Sequence, residues 1–95
     1  MLIQQKEDRG NGSFFVEEDD IQLAEMTYSL SGADTMIIDH TEVDDSLKGK
    51  NVGTQLLNKA VEYARANNLK IIPFCPFAKA VLEKKREEYK DVLKN

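Results

Sequence analysis

The chain carries one cysteine, Cys75, and one histidine, His40. A lone cysteine forms no internal disulfide, and one thiol with one imidazole is too small a ligand set for a structural zinc site. Disulfide and zinc frameworks drop out, and no metal is expected. No apolar run approaches the roughly 20 residues that a membrane-spanning helix needs. The N-terminal Met1-Leu2-Ile3 turns polar at Gln4-Gln5-Lys6, unlike a secretory signal. These absences point to a soluble, cytoplasmic protein without membrane contact. A dominant basic face is also missing: the net charge is −4, with acidic residues at Glu17, Glu18, Asp19 and Asp20 and again at Asp44 and Asp45, which argues against a nucleic-acid partner. No repeat or low-complexity segment is visible.

What remains is enough for one core. With 95 residues, 41% of them hydrophobic, the chain exceeds the roughly 70 residues below which burial rarely suffices unaided. One domain over residues 1–95 is expected, as a monomer or weak homodimer. The first half reads as strands. Leu2–Lys6 and Ser13–Glu17 flank the turn signal Arg9-Gly10-Asn11-Gly12, a longer run covers Ile21–Leu30, and Thr35–Val43 follows the turn Ser31-Gly32-Ala33-Asp34. The second half changes period. Val52, Leu56, Leu57, Ala60, Val61 and Ala64 recur at three- and four-residue spacing, which predicts one face of a helix ending near Asn67-Asn68. Leu69–Phe74 suits a buried strand, and a helical crossover from Thr35–Val43 makes the two strands parallel. Pro76 fits the first turn of a second helix, with Phe77, Ala80, Val81 and Lys84 continuing a stripe. Glu87–Asn95 is charged and helix-compatible. The expected class is α+β, with a mixed, mostly antiparallel sheet, two principal helices and a β-α-β core.

Between the fourth strand and the long helix lies Leu47-Lys48-Gly49-Lys50-Asn51-Val52-Gly53-Thr54. A helix N-terminus offers unpaired N–H groups and partial positive charge, so such a loop can cradle a phosphate. Gly49 and Gly53 lack side chains, Asn51 tolerates positive φ, and Lys48 and Lys50 add cationic donors. An ordinary strand-to-helix turn with solvated lysines fits the same spacing. Pro73 brings no ladder donor, which either opens a gap beside its strand or merely ends that strand.

Cys75 precedes Pro76 and falls at the N-cap of the second helix, where a helix dipole favours thiolate; a small core residue is the plainer alternative. His40 is a candidate general base, since an imidazole titrates near neutral pH, and Glu42 lies two residues on, on the same side of the strand. A structural histidine bonded across the sheet is equally compatible. Asp44 and Asp45 read as solvated turn residues, Tyr28 and Tyr63 as core or rim.

The loop resembles motif A of the GNAT (GCN5-related N-acetyltransferase) superfamily, with Lys48 at its Arg/Gln position, Asn51 at its first glycine and Gly53 at its second. Together with His40-Thr41-Glu42-Val43, Leu56-Leu57, Tyr63-Ala64-Arg65 and Ile72-Pro73-Phe74-Cys75-Pro76-Phe77-Ala78, the stretch from about residue 13 to 90 is similar to an abbreviated acetyl-CoA-binding GNAT-like subfamily. The resemblance implies acetyl-CoA between the fourth and fifth strands. Its pyrophosphate would lie on Lys48, Gly49, Lys50, Asn51, Val52, Gly53 and Thr54, its pantetheine arm beside Glu42 and Val43, and its thioester near Cys75, with Phe74 and Phe77 also among the cofactor-binding residues. Cys75 would accept the acetyl group transiently or reprotonate the departing CoA, with His40 and Glu42 as alternative bases. The implied activity is acetyl transfer to an unknown amine acceptor, small molecule or protein, with CoA as product. Longer GNAT enzymes carry helices between their first two strands, so the acceptor pocket here is expected to be open, borrowed from a partner, or absent. A non-catalytic acetyl-CoA or CoA module, and an interaction domain without ligand, are the competing readings.

Overall fold

A computed structural model describes residues 1–94. It contains β1 (Gln4–Asp8), β2 (Asn11–Glu18), β3 (Ile21–Ser31), β4 (Thr35–Val43), a 3₁₀ turn at Asp45–Leu47, α1 (Val52–Ala66), β5 (Lys70–Pro73), α2 (Pro76–Lys84) and α3 (Arg86–Tyr89). The five strands lie side by side in sequence order. Among them β4 and β5 run parallel, joined by α1 as the crossover; the other neighbours are antiparallel. The α+β class and the β-α-β core are therefore as the sequence predicts.

The turns explain the register. Arg9 and Gly10 have φ of 54° and 81°, and Asp19 and Asp20 have φ of 52° and 63°. Both pairs sit at the centre of two-residue hairpin loops, whose twist requires positive φ at both positions. The acidic Asp19-Asp20 pair is thus a turn former.

The six residues of the α1 stripe, Val52, Leu56, Leu57, Ala60, Val61 and Ala64, are all buried. They pack on the inner face of the sheet, where Phe14, Val16, Ala24, Met26, Tyr28, Met36, Ile38 and Ile71 form one cluster with them. Burial of a leucine such as Leu56 contributes roughly 2 kcal/mol. No described helix is long and apolar enough to cross a membrane.

Two local expectations change. The buried face of α2 is Ala78 and Leu82, with Val81 half-buried, whereas Phe77 and Ala80 are exposed. The expected stripe of Phe77, Ala80, Val81 and Lys84 is therefore about one position out of phase, Val81 alone among them being turned partly inward. The C-terminal stretch is helical only over Arg86–Tyr89. Beyond it the chain runs along the outer edge of β5: Ile71 N–H donates to Val92 C=O at 2.5 Å, and Lys94 N–H donates to Ile71 C=O at 3.0 Å. The chain is pinned there by Arg65, which donates to both carboxylate oxygens of Asp91 at 2.9 and 3.1 Å, and by Lys70 Nζ, which donates to Asp91 C=O. That Arg65 fork holds the Asp91 carboxyl below its usual range.

Candidate functional site

Strand β4 changes face along its length. Tyr28 pairs with Ile38 and Thr27 with His40, so Asp39 is an extra residue in the ladder. Unbroken alternation would carry the inward face from Met36 and Ile38 on to residues 40 and 42. The bulge re-aims that series. Thr41 and Val43 now pair with the inward Met26 and Ala24, while His40 and Glu42 pair with Thr27 and Glu25 on the face opposite α1. Their side chains meet there, His40 Nε2 lying 2.9 Å from Glu42 Oε1. A carboxylate only accepts, so Nε2 carries the hydrogen of this contact, and in the neutral imidazole the lone pair then lies on Nδ1. The expected same-side pair is present.

The β4–β5 ladder runs from Thr35/Lys70 to Ile38/Pro73 and stops. Phe74 and Cys75 N–H groups both donate to Ile38 C=O, at 3.0 and 3.1 Å. From Asp39 onward β4 has no strand partner on this side among the described residues, so a cleft opens between its C-terminal half and the start of α2. Pro73 is not its cause. Ile71 N–H points to the outer edge, toward Val92, and Phe74 N–H points to β4; by alternation the nitrogen of Pro73 faces outward, where no ladder bond with β4 is made. The cleft arises because the chain turns into α2 after Ile38 has taken two donors.

Cys75 is the N-cap of α2 with Pro76 in the first turn, as the sequence predicts. It is only 4% exposed, and its Sγ donates to Thr41 Oγ1 at 3.2 Å. Thr41 gives no signal in the sequence, because without the bulge it would face away from α1. The three catalytic candidates are consequently not one cluster: Cys75 sits with the inward Thr41, whereas His40 and Glu42 lie on the opposite face.

The loop bears out its expected backbone. Gly49 has φ of 84°, and a Cβ there would meet nothing within 4 Å; Asn51, the N-cap of α1, is left-handed at φ 55°. No side chain caps this helix, and its first loop-level backbone bond is Gln55 N–H to Asn51 C=O at 3.0 Å. The N–H groups of Val52, Gly53 and Thr54 thus have no backbone acceptor, and Lys48 and Lys50 are exposed beside them without an ion pair among the described residues. An anion fits this end on both charge and donor count. Gly53 needs a different reason from the one expected: a Cβ there would lie 2.9 Å from Phe77 Cζ. Its missing side chain admits the Phe77 ring, which joins α2 to the loop. Val43, Phe74 and Phe77, exposed by 38%, 67% and 38%, leave apolar surface at the mouth of the cleft.

The site is thus an open strand gap beside an uncapped, lysine-flanked helix start, an arrangement whose charge and shape suit an anionic ligand with an extended arm. Residues 13–92 match the family described as GCN5-related N-acetyl-transferase, and the chain belongs to that family. It is 42% identical to a GCN5-like putative N-acetyltransferase from Staphylococcus aureus whose solution structure was determined by NMR, over 97% of this chain and 88% of that one, with a TM-score of 0.73. Tetrahymena GCN5 shares the fold at 16% identity and a TM-score of 0.65, over 93% of this chain and 63% of that one. A GNAT family acetyltransferase from Elizabethkingia anophelis, solved with acetyl-CoA bound, does so at 14% identity and a TM-score of 0.62, over 81% of this chain and 53% of that one. No curated protein matches the chain.

Proposed function

We propose that the chain is an acetyl-CoA-dependent N-acetyltransferase acting on an amine. The observation that carries this is the uncapped start of α1, where three N–H groups without backbone acceptors and two exposed lysines adjoin the gap that opens after Ile38. Backbone amides of Val52 to Thr54 with Lys48 and Lys50 would hold a pyrophosphate. The unpaired edge of β4 at Glu42 and Val43 would take the amide-bearing arm, and Phe74 and Phe77 would cover it from the other side.

Acetyl-CoA, when bound, supplies an activated acetyl carbon that accepts an amine nitrogen as the carbon–sulfur bond breaks. His40 Nδ1 takes the proton that the amine loses, and Glu42 orients the imidazole and balances its charge. The Cys75 thiol is the proton source for the departing sulfur and is reprotonated through the Thr41 hydroxyl. Direct attack is favoured over an acetyl-cysteine route because no base touches Cys75 among the described residues to draw off its proton, whereas the His40–Glu42 pair is open to an incoming amine.

A residue-by-residue NMR titration with acetyl-CoA, CoA and ATP tests the ligand, and turnover of an amine library tests the reaction. Acetyl-CoA is expected to move the amides of Lys48 to Thr54 together with Glu42 and Val43. Binding without turnover would leave a cofactor-binding module, and no response to any CoA species would leave an interaction domain.

A further inference from the structure

The face of the sheet opposite α1 carries a polar row that the proposed reaction uses only at one end. The register aligns Lys6, Ser13, Thr27 and His40 across β1 to β4, and beside them Phe15, Glu25 and Glu42. Ser13 is 2% exposed, and its Oγ has no hydrogen-bond partner. A buried hydroxyl without a partner costs free energy that a ligand group would restore. Ser13 lines a cavity of about 350 Å³ together with Lys6, Asp8, Asn11, Glu25 and Thr27, its hydroxyl lying just beneath the cavity wall that its cross-strand neighbour Lys6 helps to form. Charge adds a second argument. Glu25 and Glu42 face each other directly across β3 and β4, an unfavourable arrangement for two carboxylates. The cation paired with Glu25 is Lys6, 3.9 Å away and 62% exposed, its ammonium also resting 5.0 Å from the Phe15 ring centroid. Such a loosely held lysine yields to a better-placed cation.

From Ser13 on β2 to His40 on β4 is two strand spacings, about 10 Å. We infer that this open face binds the acceptor, and that the acceptor is a slender aliphatic amine with at least two amino groups. One ammonium lies against Ser13 Oγ and Glu25, displacing Lys6; the other reaches His40 and Glu42. The inference rests on the proposed role of His40 as base and deepens it by naming the substrate class.

The test is an NMR titration of the full chain with spermidine and, separately, with n-hexylamine, both without any CoA species. Spermidine is expected to move the amides of Lys6, Ser13, Thr27 and His40, and to bind at least about tenfold more tightly than the monoamine, equivalent to about 1.4 kcal/mol. Glu25→Gln should weaken spermidine by a similar factor. Ser13→Ala should weaken it about threefold or more while leaving the melting temperature unchanged or raised, since it removes an unsatisfied buried group. Equal affinity for both amines, indifference to Glu25→Gln, shifts confined to residues 17–20, or no binding at all would each overturn the inference. Because these readouts need no acetyl-CoA, they fail independently of the cofactor site: a chain that binds acetyl-CoA at Lys48 to Thr54 and ignores spermidine overturns only the acceptor assignment.

Discussion

Cys75 Sγ donates a hydrogen bond to Thr41 Oγ1 at 3.2 Å, across the point where β4 and β5 part. This contact fixes the thiol to the cleft wall and buries it. In the proposed reaction a thiol in that position would meet the reacting end of the thioester and no phosphate. Cys75→Ala is therefore expected to leave acetyl-CoA affinity within about twofold, to cost about 1 kcal/mol of stability for the lost packing, and to lower transfer sharply. Isothermal titration beside a turnover assay separates the effects. If turnover is unaffected, the leaving sulfur draws its proton from water and Cys75 is a core residue.

In the proposed complex the loop lysines would act at the opposite end of the ligand. Lys48 and Lys50 are exposed, so each adds screened attraction rather than a buried ion pair. Replacing both by alanine is expected to weaken acetyl-CoA about tenfold at low ionic strength, with the loss shrinking as salt rises. A salt-independent change, or none, would count against a pyrophosphate at this helix start.

Gly12 makes a structural prediction that no motif announces. A Cβ at this position would lie 2.6 Å from Lys6 C=O and 2.6 Å from Tyr28 Cζ and its hydroxyl. The carbonyl belongs to the paired strand and cannot retreat cheaply. Gly12→Ala is expected to destabilise the fold by about 2 kcal/mol through overpacking, whereas Gly32→Ala meets no atom within 4 Å and suffers only the strain of its φ of 66°. Thermal melts of the two variants should differ accordingly.

How much of this was legible in the sequence follows from what kind of signal each feature leaves. The α1 stripe and the β4-α1-β5 crossover were readable because burial imposes a period, and all six predicted positions are buried. The positive φ of Asn51 and the Cys75–Pro76 helix start were readable because special backbone geometry demands special residues. The Asp39 bulge was not, since an extra residue in a ladder changes no composition and shows only when both strands are paired. That one residue moves His40 and Glu42 to the open face and Thr41 toward Cys75, so the split of the catalytic candidates was hidden with it. The reason for Gly53 lay equally out of reach, in the ring of Phe77, well along the chain in the next helix. The resemblance to the GNAT motif located the loop but carried no information about the open face.

The last prediction concerns alkaline stability. Glu7 Oε1 accepts from Tyr28 Oη at 2.6 Å and from Tyr63 Oη at 2.9 Å, tying β1 to both β3 and α1. The phenol of Tyr28 is raised well above its ordinary range, first by burial and then by the Glu7 carboxylate; Tyr63 is raised for the same two causes in the same order. A raised native pKa means that the folded chain keeps protons that the unfolded chain gives up. The unfolded phenols ionise near pH 10, so stability is level below that point and falls as pH rises through it. Melting temperature should therefore drop from about pH 9.5 upward. The drop should be shallower in Tyr28→Phe, which has no proton to lose at that position and forgoes the bond to Glu7 at every pH. An alkaline limb identical in slope for the two proteins would mean that Tyr28 ionises as readily folded as unfolded, and that the Glu7 cluster does not hold its proton.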